Sequence, residues 1–345
     1  MSYKLPTNQK LPPGIKRIAC EQIDDALASL RSSDEELDEI VHESRKRLKK
    51  LRGLLRLVRK EIGETVYQRE NIAFRDAGRL LGGLRDSAVR IETLADLLAE
   101  PALAPADDAF STLKRAVNTI YDDMRQQVIT EEQALEKVTA RIEAARTRVG
   151  EWPLEDDSFA AVAGGLRKVY KRGQNRAADA AEEATMAAFH EWRKRVKYLW
   201  YNVRILKPIW PEPMAVLADE IHDLSDLLGE EHDLAGLRDF IRSQPALISD
   251  EENAAALLSL IDEKRILLQK QSLRQGRFIY AESPDDFVAR IEAYWEAAQL
   301  IVLPPRTRHM RQARRRRPLF NADADLFAVP GGRLFRRMPE ERYNE

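Results

Sequence analysis

A ten-residue basic segment led by histidine occurs twice in the chain. Residues 42–51 read HESRKRLKKL and residues 190–199 read HEWRKRVKYL, so that 7 of the 10 positions are identical. On a helix, which turns by about 100° per residue, the basic side chains of each copy share one face with the leading histidine. We call these faces the two basic stripes. Their members are His42, Arg45, Lys46, Lys49 and Arg56 in the first copy, and His190, Arg193, Lys194, Lys197 and Arg204 in the second.

Like charges along one face of a helix indicate a ligand that lies outside the helix. Basic side chains one turn apart destabilise an isolated helix by roughly 0.2–0.5 kcal/mol per pair. An extended chain of phosphates would supply the missing negative charge, because arginine offers paired donors and lysine a compact positive charge. Each histidine would add a further donor once the pH falls through about 6.5. One stripe alone is typical of a solvated surface, whereas two matching stripes favour a binding surface.

A second repeated motif indicates that the stripes belong to duplicated units. Residues 80–86 read LLGGLRD and residues 227–233 read LLGEEHD, at an offset of 147 that nearly equals the offset of 148 between the stripes. Two motifs in the same order and at the same spacing predict duplication of a helical unit. We expect two antiparallel four-helix bundles, at 15–150 and 155–300. If these bundles pack around a pseudo-twofold axis, the stripes face each other across a basic central groove.

Apolar periodicity predicts an all-α fold, because no strand of sufficient length and alternation is visible. A capping box at Ser33–Glu36 opens the helix of the first stripe, and Gly82-Gly83 indicate a C-terminal stop. The segment 107–149 is one helix, or two helices broken near Thr130. The Arg-rich tail at 303–345 is predicted to be extended. The other predicted helices cover 33–62, 64–82, 85–99, 158–173, 178–207, 213–228, 233–243, 250–281 and 285–300.

The distribution of charge, more than its sum, indicates a polyanion partner. The formal net charge is −1, yet residues 42–60 contain nine Lys or Arg and one acid. Residues 306–317 contain seven Arg, whereas residues 208–233 contain eight Asp or Glu and no Lys or Arg. Such segregated charge recruits charged ligands. The single Cys20 excludes an internal disulfide, and no apolar run reaches the about 18 residues of a spanning helix, so we expect a cytoplasmic protein.

The paired motifs H-E-x-R-K-R-x-K and L-L-G-x-x-[R/H]-D resemble those of the CHAD domain, a family of conserved-histidine α-helical domains, over about residues 30–300. The resemblance implies duplicated four-helix bundles around a basic pore, binding of inorganic polyphosphate, association with polyphosphate granules, and neither catalysis nor a cofactor. Carried over by position, it assigns polyphosphate contacts to both basic stripes. The second copy has Trp200, Asp226 and His232 where the first has arginine, and is the weaker anion surface. The arginines at these positions, which complete the predicted contacts, are Arg52, Arg79 and Arg85.

Two other classes of function remain open. Nucleic acid also presents a chain of phosphates, but the stripes offer few aromatic side chains for base stacking. We interpret Trp192, Tyr198, Trp200 and Tyr201 as packing between helices. A helical scaffold for protein partners is the other alternative. The Arg-rich tail would be a second polyanion contact, a nucleic-acid arm, or a solvated segment that pairs with the acidic residues.

No catalytic or metal-binding arrangement accompanies the stripes. Di-iron bundles use paired Glu-x-x-His motifs, whereas Glu220 lies two residues before His222 and Glu231 is adjacent to His232. No alternating Glu-x-Glu-x-Lys strand precedes the first repeat, so we expect no fused triphosphate-tunnel enzyme domain. The acids that we expect to orient neighbouring cations or to cap a helix are Asp86 and Asp233.

Overall fold

Helices account for the regular structure of the chain, as predicted. The all-α fold is confirmed for the residues that the structure describes, which contain no strand. The predicted tail and capping-box residues 33–35 lie outside these residues. The described parts of the chain, in a computed structural model, are 3–32, 36–103, 109–131 and 133–301. The α-helices are α1 (Leu11–Leu30), α2 (Leu37–Leu57), α3 (Arg59–Leu80), α4 (Gly82–Leu98), α5 (Ser111–Gln126), α6 (Ala134–Arg148), α7 (Ala160–Glu183), α8 (Met186–Leu206), α9 (Pro211–Ser243), α10 (Glu251–Ile279) and α11 (Pro284–Ile301).

The helix with the first basic stripe is shorter than predicted. α2 begins at Leu37, behind Glu36, whose side chain makes no capping hydrogen bond. It ends at Leu57 instead of near Ile62, and α3 follows with a kink at Gly63. Gly63 has a φ of 76°, a left-handed conformation that favours glycine. At the boundary predicted between residues 62 and 64, the structure therefore has this kink inside α3.

Glycine does not end helices where the sequence suggested. Gly82 and Gly83 are the first residues of α4, so the predicted C-terminal stop is wrong. Gly229 lies inside α9, which is continuous where separate helices at 213–228 and 233–243 were expected. A glycine costs a helix only about 1 kcal/mol relative to alanine, and tertiary packing readily offsets this. The contacts of Gly82 and Gly229, described below, identify that packing.

The break before the second basic stripe also lies elsewhere than predicted. α7 continues through the expected gap at 173–178 and ends at Glu183, and the next residue, Ala184, has a φ of 51°. Thr185 then caps α8, because its hydroxyl accepts a hydrogen bond from the backbone N–H of Ala188 at 3.2 Å. Of the two alternatives for 107–149, one helix or two, the structure has two helices, α5 and α6, with a π-helical segment at Gln127–Glu131 after α5.

α2 and α8, which carry the two stripes, pack against each other. A Cβ atom at Gly53 of α2 would lie 2.9 Å from the Cβ atom of Tyr201 in α8, which is closer than side chains tolerate. The glycine thus permits the close approach of the two helices. On its other sides α2 packs against α1, α3 and α7, through fully buried side chains such as Leu51 and Leu55.

The residues before α1 also join the core, which the polar, proline-rich N-terminal sequence did not indicate. Tyr3 and Leu5 are almost completely buried. The Tyr3 hydroxyl donates a hydrogen bond to the carbonyl oxygen of Lys50 at 2.7 Å. The backbone N–H of Leu5 donates to the carbonyl oxygen of Ile205 at 2.8 Å. This segment therefore links α2 to the C-terminal end of α8.

A second hydrophobic core forms beside the main one. It combines buried side chains of α4 and α5, such as Leu94 and Leu113, with those of α9 and α10, such as Leu237 and Ile261. α9 contributes to the main core as far as Leu228 and to the second core beyond it. The second core thus draws on residues from both halves of the repeat, a feature that the repeated motifs alone did not predict.

Candidate functional site

A concave pocket opens where α2, α3 and α4 meet the first turns of α8. Its volume is about 490 Å³. Four arginines, two lysines and one aspartate line it, so that six cations face a single carboxylate. We call this cavity the basic pocket. Its charged lining residues are Arg45, Lys49, Arg52, Arg75, Arg79, Asp86 and Lys194.

The two repeated motifs meet at this pocket. Arg45 donates a hydrogen bond from Nη1 to the carbonyl oxygen of Gly78 at 2.6 Å, and its Nη2 lies 3.7 Å from Oδ1 of Asp86. A Cβ atom at Gly82 would lie 3.3 Å from Nη1 of Arg45. In the second copy, a Cβ atom at Gly229 would lie 3.6 Å from Nε of Arg193. The arginine of each stripe therefore packs over the glycine of its own L-L-G motif.

This contact explains why both motifs recur together. The glycine leaves room for the guanidinium, and the aspartate four residues later orients it in the first copy. The expected role of Asp86 as a partner of a neighbouring cation is thus confirmed. Asp233 lies in the middle of α9, so the alternative that it caps a helix is wrong.

Positive charge from both stripes accumulates around Lys49. Its side chain is exposed and lines the basic pocket. Desolvation, followed by the charges of Arg45, Arg193 and Lys197, lowers the pKa of Lys49 to about 7. Asp86 opposes this shift only weakly. The stripes of α2 and α8 are therefore close enough to repel each other electrostatically.

The histidines that lead the stripes lie in partly buried surroundings. The rings of His190 and His232 pack at a centroid distance of 4.3 Å, and the Nδ1 atom of each is buried without a hydrogen-bond partner. Desolvation, followed by the charge of His190, lowers the pKa of His232 to about 4. Desolvation also lowers the pKa values of His42 and His190. In the unliganded protein these two stripe histidines therefore bind a proton less readily than an isolated imidazole does.

Acidic side chains pair with several cations of the predicted site. Nζ of Lys197 lies 3.6 Å from Oδ1 of Asp226. Arg79 lies 3.6 Å from Asp76. These pairs are half-exposed, so each contributes little to stability and can be exchanged for a ligand phosphate. The other such pairs are Lys46 with Glu43, Lys194 with Glu191 and Arg85 with Glu92.

Comparison with known proteins now settles the family. A protein-family model described as the CHAD domain matches residues 18–242, about two thirds of the chain. The chain belongs to the CHAD domain family. Its structure is similar to the crystal structure of the CHAD domain from the plant Ricinus communis, with a TM-score of 0.52 and 18% sequence identity. The similarity covers 85% of this chain and 94% of the plant chain, and at this identity it concerns the fold. A search of the curated proteins finds no match.

Eight of the 13 predicted contacts of this CHAD domain do not line the basic pocket: His42, Lys46, Arg56, Arg85, His190, Arg193, Lys197 and Arg204. The guanidinium carbon of Arg56 lies 3.8 Å from the ring centroid of Tyr198, in a separate small cavity. Arg204 packs over the ring of Trp200 at 4.7 Å and near that of Tyr3 at 6.0 Å. Neither arginine lines the basic pocket, so the prediction that both contact the same ligand groove is not supported by their positions.

One cation of the basic pocket was not among the predicted contacts of the CHAD domain. Arg75 lines the basic pocket, and its Nε donates a hydrogen bond to Oδ1 of Asp76 at 2.8 Å. The sequence held a signal for it, because Arg75 and His222 occupy matching positions of the two halves, one turn before Arg79 and Asp226. Arg75 therefore extends the cation row of α3 along the pocket wall.

The aromatic residues of the second stripe pack as expected in this CHAD domain. Trp192, Tyr198 and Tyr201 are at most 8% exposed, and Trp200 packs edge-on against His222 at 4.3 Å. In the described residues no group of three or more His, Cys, Asp or Glu could hold a metal ion. Within the same residues, no helix is long and apolar enough to cross a membrane.

Proposed function

We propose that this CHAD domain binds inorganic polyphosphate in the basic pocket, without catalysing a reaction on it. The observation that carries the proposal is the six cations that face one carboxylate around a cavity of about 490 Å³. Arginine and lysine together suit an extended chain of phosphates, through paired donors and point charges respectively. The resemblance to the CHAD family supports association with polyphosphate granules in the cytoplasm.

Binding would replace weak internal ion pairs by charge-assisted hydrogen bonds to phosphate. Arg45 is already held by the Gly78 carbonyl and by Asp86, so its guanidinium is oriented before the ligand arrives. Lys194 and Lys197 exchange their acidic partners for phosphate oxygens. The release of counterions from the phosphate chain adds a favourable contribution that decreases with rising salt concentration.

We further propose that two related helical bundles, at 15–150 and 155–300, contribute to this site about a pseudo-twofold axis. Matching positions of the two stripes support this arrangement. Gly53 contacts Tyr201, and the charges of Arg45 and Arg193 act on each other, at an offset of 148 in both cases. A basic central groove would then continue the basic pocket along the second stripe.

Nucleic acid and protein partners are the competing ligand classes. Nucleic acid matches the charge of the pocket, but the burial of Trp192, Tyr198 and Tyr201 removes them as platforms for base stacking. A protein scaffold would use other surfaces, so neutralising the stripes would leave its partner bound. The basic pocket therefore favours a phosphate chain without bases.

Calorimetric titration with long-chain polyphosphate, beside single- and double-stranded DNA of matched charge, tests the proposal. At physiological salt we expect polyphosphate to bind at least about tenfold more tightly than either DNA, a difference of about 1.4 kcal/mol. The three titrations share one buffer, because affinities for polyanions depend on salt. Equal or tighter binding of DNA would contradict a dedicated polyphosphate site.

The lowered pKa of Lys49 predicts that ligand binding takes up a proton at pH 8. The free ammonium group has a pKa of about 7, and a nearby phosphate chain raises it. Affinity is therefore greatest below pH 7 and falls as the pH rises through 7 towards the pKa of the bound state. Titrations at pH 8 in two buffers with different ionisation enthalpies measure the uptake.

Lys49→Arg separates this effect from other titrating groups. Arginine keeps its proton at pH 8, so we expect the variant to bind polyphosphate with little proton uptake. Lys137→Arg, at an exposed position of α6, serves as the matched control and should retain the uptake of the unmodified protein. Unchanged uptake in Lys49→Arg would assign the proton to another group.

A further inference from the structure

A second group of cations converges at the opposite end of α2 from His42. It surrounds Tyr198 and Val169 and encloses a cavity of about 20 Å³, roughly the space of one water molecule. The group combines the end of α2, the start of α3 and one face each of α7 and α8. We call it the Tyr198 cluster. Its cations are Arg56, Arg59, Lys168, Arg172 and Arg195.

The cations of the Tyr198 cluster outnumber their acidic partners. Arg59 binds Glu64 at 2.6 Å, and Arg195 binds Glu191 at 3.2 Å. Among the described residues, no carboxylate forms an ion pair with the other three cations. Two of these lie one turn apart on α7 and are exposed, an arrangement that by itself destabilises a helix. The three cations without an ion-pair partner are Arg56, Lys168 and Arg172.

Arg56 forms the floor of the cluster. Its guanidinium lies over the Tyr198 ring at 3.8 Å, and its Nη1 donates to the carbonyl oxygen of Arg52 at 2.6 Å and to Oδ1 of Asn71 at 3.2 Å. These neutral acceptors hold the group in place but leave its charge uncompensated. Its Nε atom is buried without any hydrogen-bond partner. A largely buried charge without a counterion is costly, so an anion at this position would stabilise it.

We propose that the Tyr198 cluster binds a compact phosphoryl anion, such as orthophosphate or pyrophosphate. The anion sits at the mouth of the small cavity, above Arg56, and Lys168 and Arg172 contact it from the exposed rim. The two cavities share no lining residue, although Arg52 of the basic pocket lies one helical turn before Arg56 and both arginines donate a hydrogen bond to Oδ1 of Asn71 at 3.2 Å. The site does not depend on the proposed polyphosphate function, since a free anion and the end of a phosphate chain present the same group.

Titration with inorganic pyrophosphate tests the site. The double variant Lys168→Ala/Arg172→Ala removes both rim cations without touching the core, because both side chains are exposed. The matched control is Arg167→Ala/Lys171→Ala, which removes the same charge from the preceding exposed positions of α7. All proteins also carry Lys49→Ala, which weakens competing binding in the basic pocket.

We expect the rim variant to bind pyrophosphate about tenfold more weakly than the parent, and the control to remain within about twofold. Equal losses in both variants would mean a diffuse field of positive charge and would overturn the site. Absence of pyrophosphate binding in the parent would overturn it as well. Thermal melts establish that both double variants are folded.

Long-chain polyphosphate, titrated into the same proteins without Lys49→Ala, identifies the source of the phosphoryl group. A parallel loss in the rim variant assigns the site to phosphates of the chain, whereas an unchanged affinity assigns it to a free anion. Both outcomes require that pyrophosphate binding has already been located at the cluster. Failure of polyphosphate to bind the unmodified protein would contradict the proposed function and leave the Tyr198 cluster as an independent site.

Discussion

Reversal of charge at Lys49 and Lys197 is expected to lower the affinity for polyphosphate by at least about a hundredfold. Each substitution to glutamate removes a cation and adds a carboxylate that repels the phosphate chain. Lys49 lines the basic pocket, and Lys197 acts electrostatically on it from α8. One hydrogen bond to a charged group contributes about 1.5–3 kcal/mol, so the loss of two accounts for the expected effect.

The fold should tolerate Lys49→Glu/Lys197→Glu. Lys49 is exposed, and Lys197 points towards Asp226 at the surface of α9 and not into a hydrophobic core. The repulsion between Asp226 and the carboxylate introduced by Lys197→Glu is weak, because the Asp226 side chain is 57% exposed. We therefore expect a circular-dichroism melt close to that of the unmodified protein.

Lys137→Glu/Lys270→Glu is the matched control for this prediction. Both lysines are exposed, on α6 and α10, and neither lines the basic pocket. The control changes the net charge by the same amount. A decrease in affinity that both double variants share is therefore due to the changed net charge of the protein. Retained affinity in Lys49→Glu/Lys197→Glu, with a normal melt, would exclude the basic pocket as the polyphosphate site.

The members of the two stripes were predictable from the sequence, but their distribution over two separate cavities was not. Helical periodicity places Arg45, Lys49 and Arg56 on one face of α2 whatever the tertiary structure. How that face packs against α7 and α8 depends on the close contact of Gly53 with Tyr201. Because no local rule specifies such a crossing, the separation of Arg56 from the basic pocket required the structure.

Glycine illustrates the same limit. From the sequence, Gly82 and Gly229 are expected to interrupt helices, since local propensity disfavours glycine inside helices. In the structure both lie within helices, beneath Arg45 and Arg193. The repetition of arginine and glycine at nearly equal offsets was visible in the sequence. Their contact was not, because it joins helices that are separated in the chain.

The histidines show why chemistry cannot be inferred from residue type alone. An isolated histidine has a pKa of about 6.5, and this value underlay the expected role as a pH-dependent phosphate donor. Burial and neighbouring cations lower the pKa values of His42 and His190 in the folded protein. Lys49, which the sequence did not single out for titration, has its pKa lowered to about 7 in the basic pocket.

Glu231→Ala is expected to lower the free energy of unfolding by about 3–5 kcal/mol. Glu231 belongs to the second LLGEEHD motif and is completely buried. Its Oε1 atom accepts hydrogen bonds from Nη2 of Arg265 at 2.8 Å and from Nε2 of Gln269 at 2.9 Å, which joins α9 to α10. Removal of the carboxylate leaves the Arg265 charge, only 14% exposed, with Asp262 at 3.8 Å as its remaining acidic partner.

Chemical denaturation measures this loss, and the neighbouring residue supplies the control. Glu230 is exposed on the same turn of α9, so Glu230→Ala should change the free energy of unfolding by no more than about 0.5 kcal/mol. The first repeat has Leu84 where the second has Glu231. We therefore expect Glu231→Leu/Arg265→Met to recover most of the stability, because an apolar pair of similar volume avoids the desolvation of two charges. If Glu231→Ala alone were as stable as the unmodified protein, the ion pair would not be what holds α10 against the second motif.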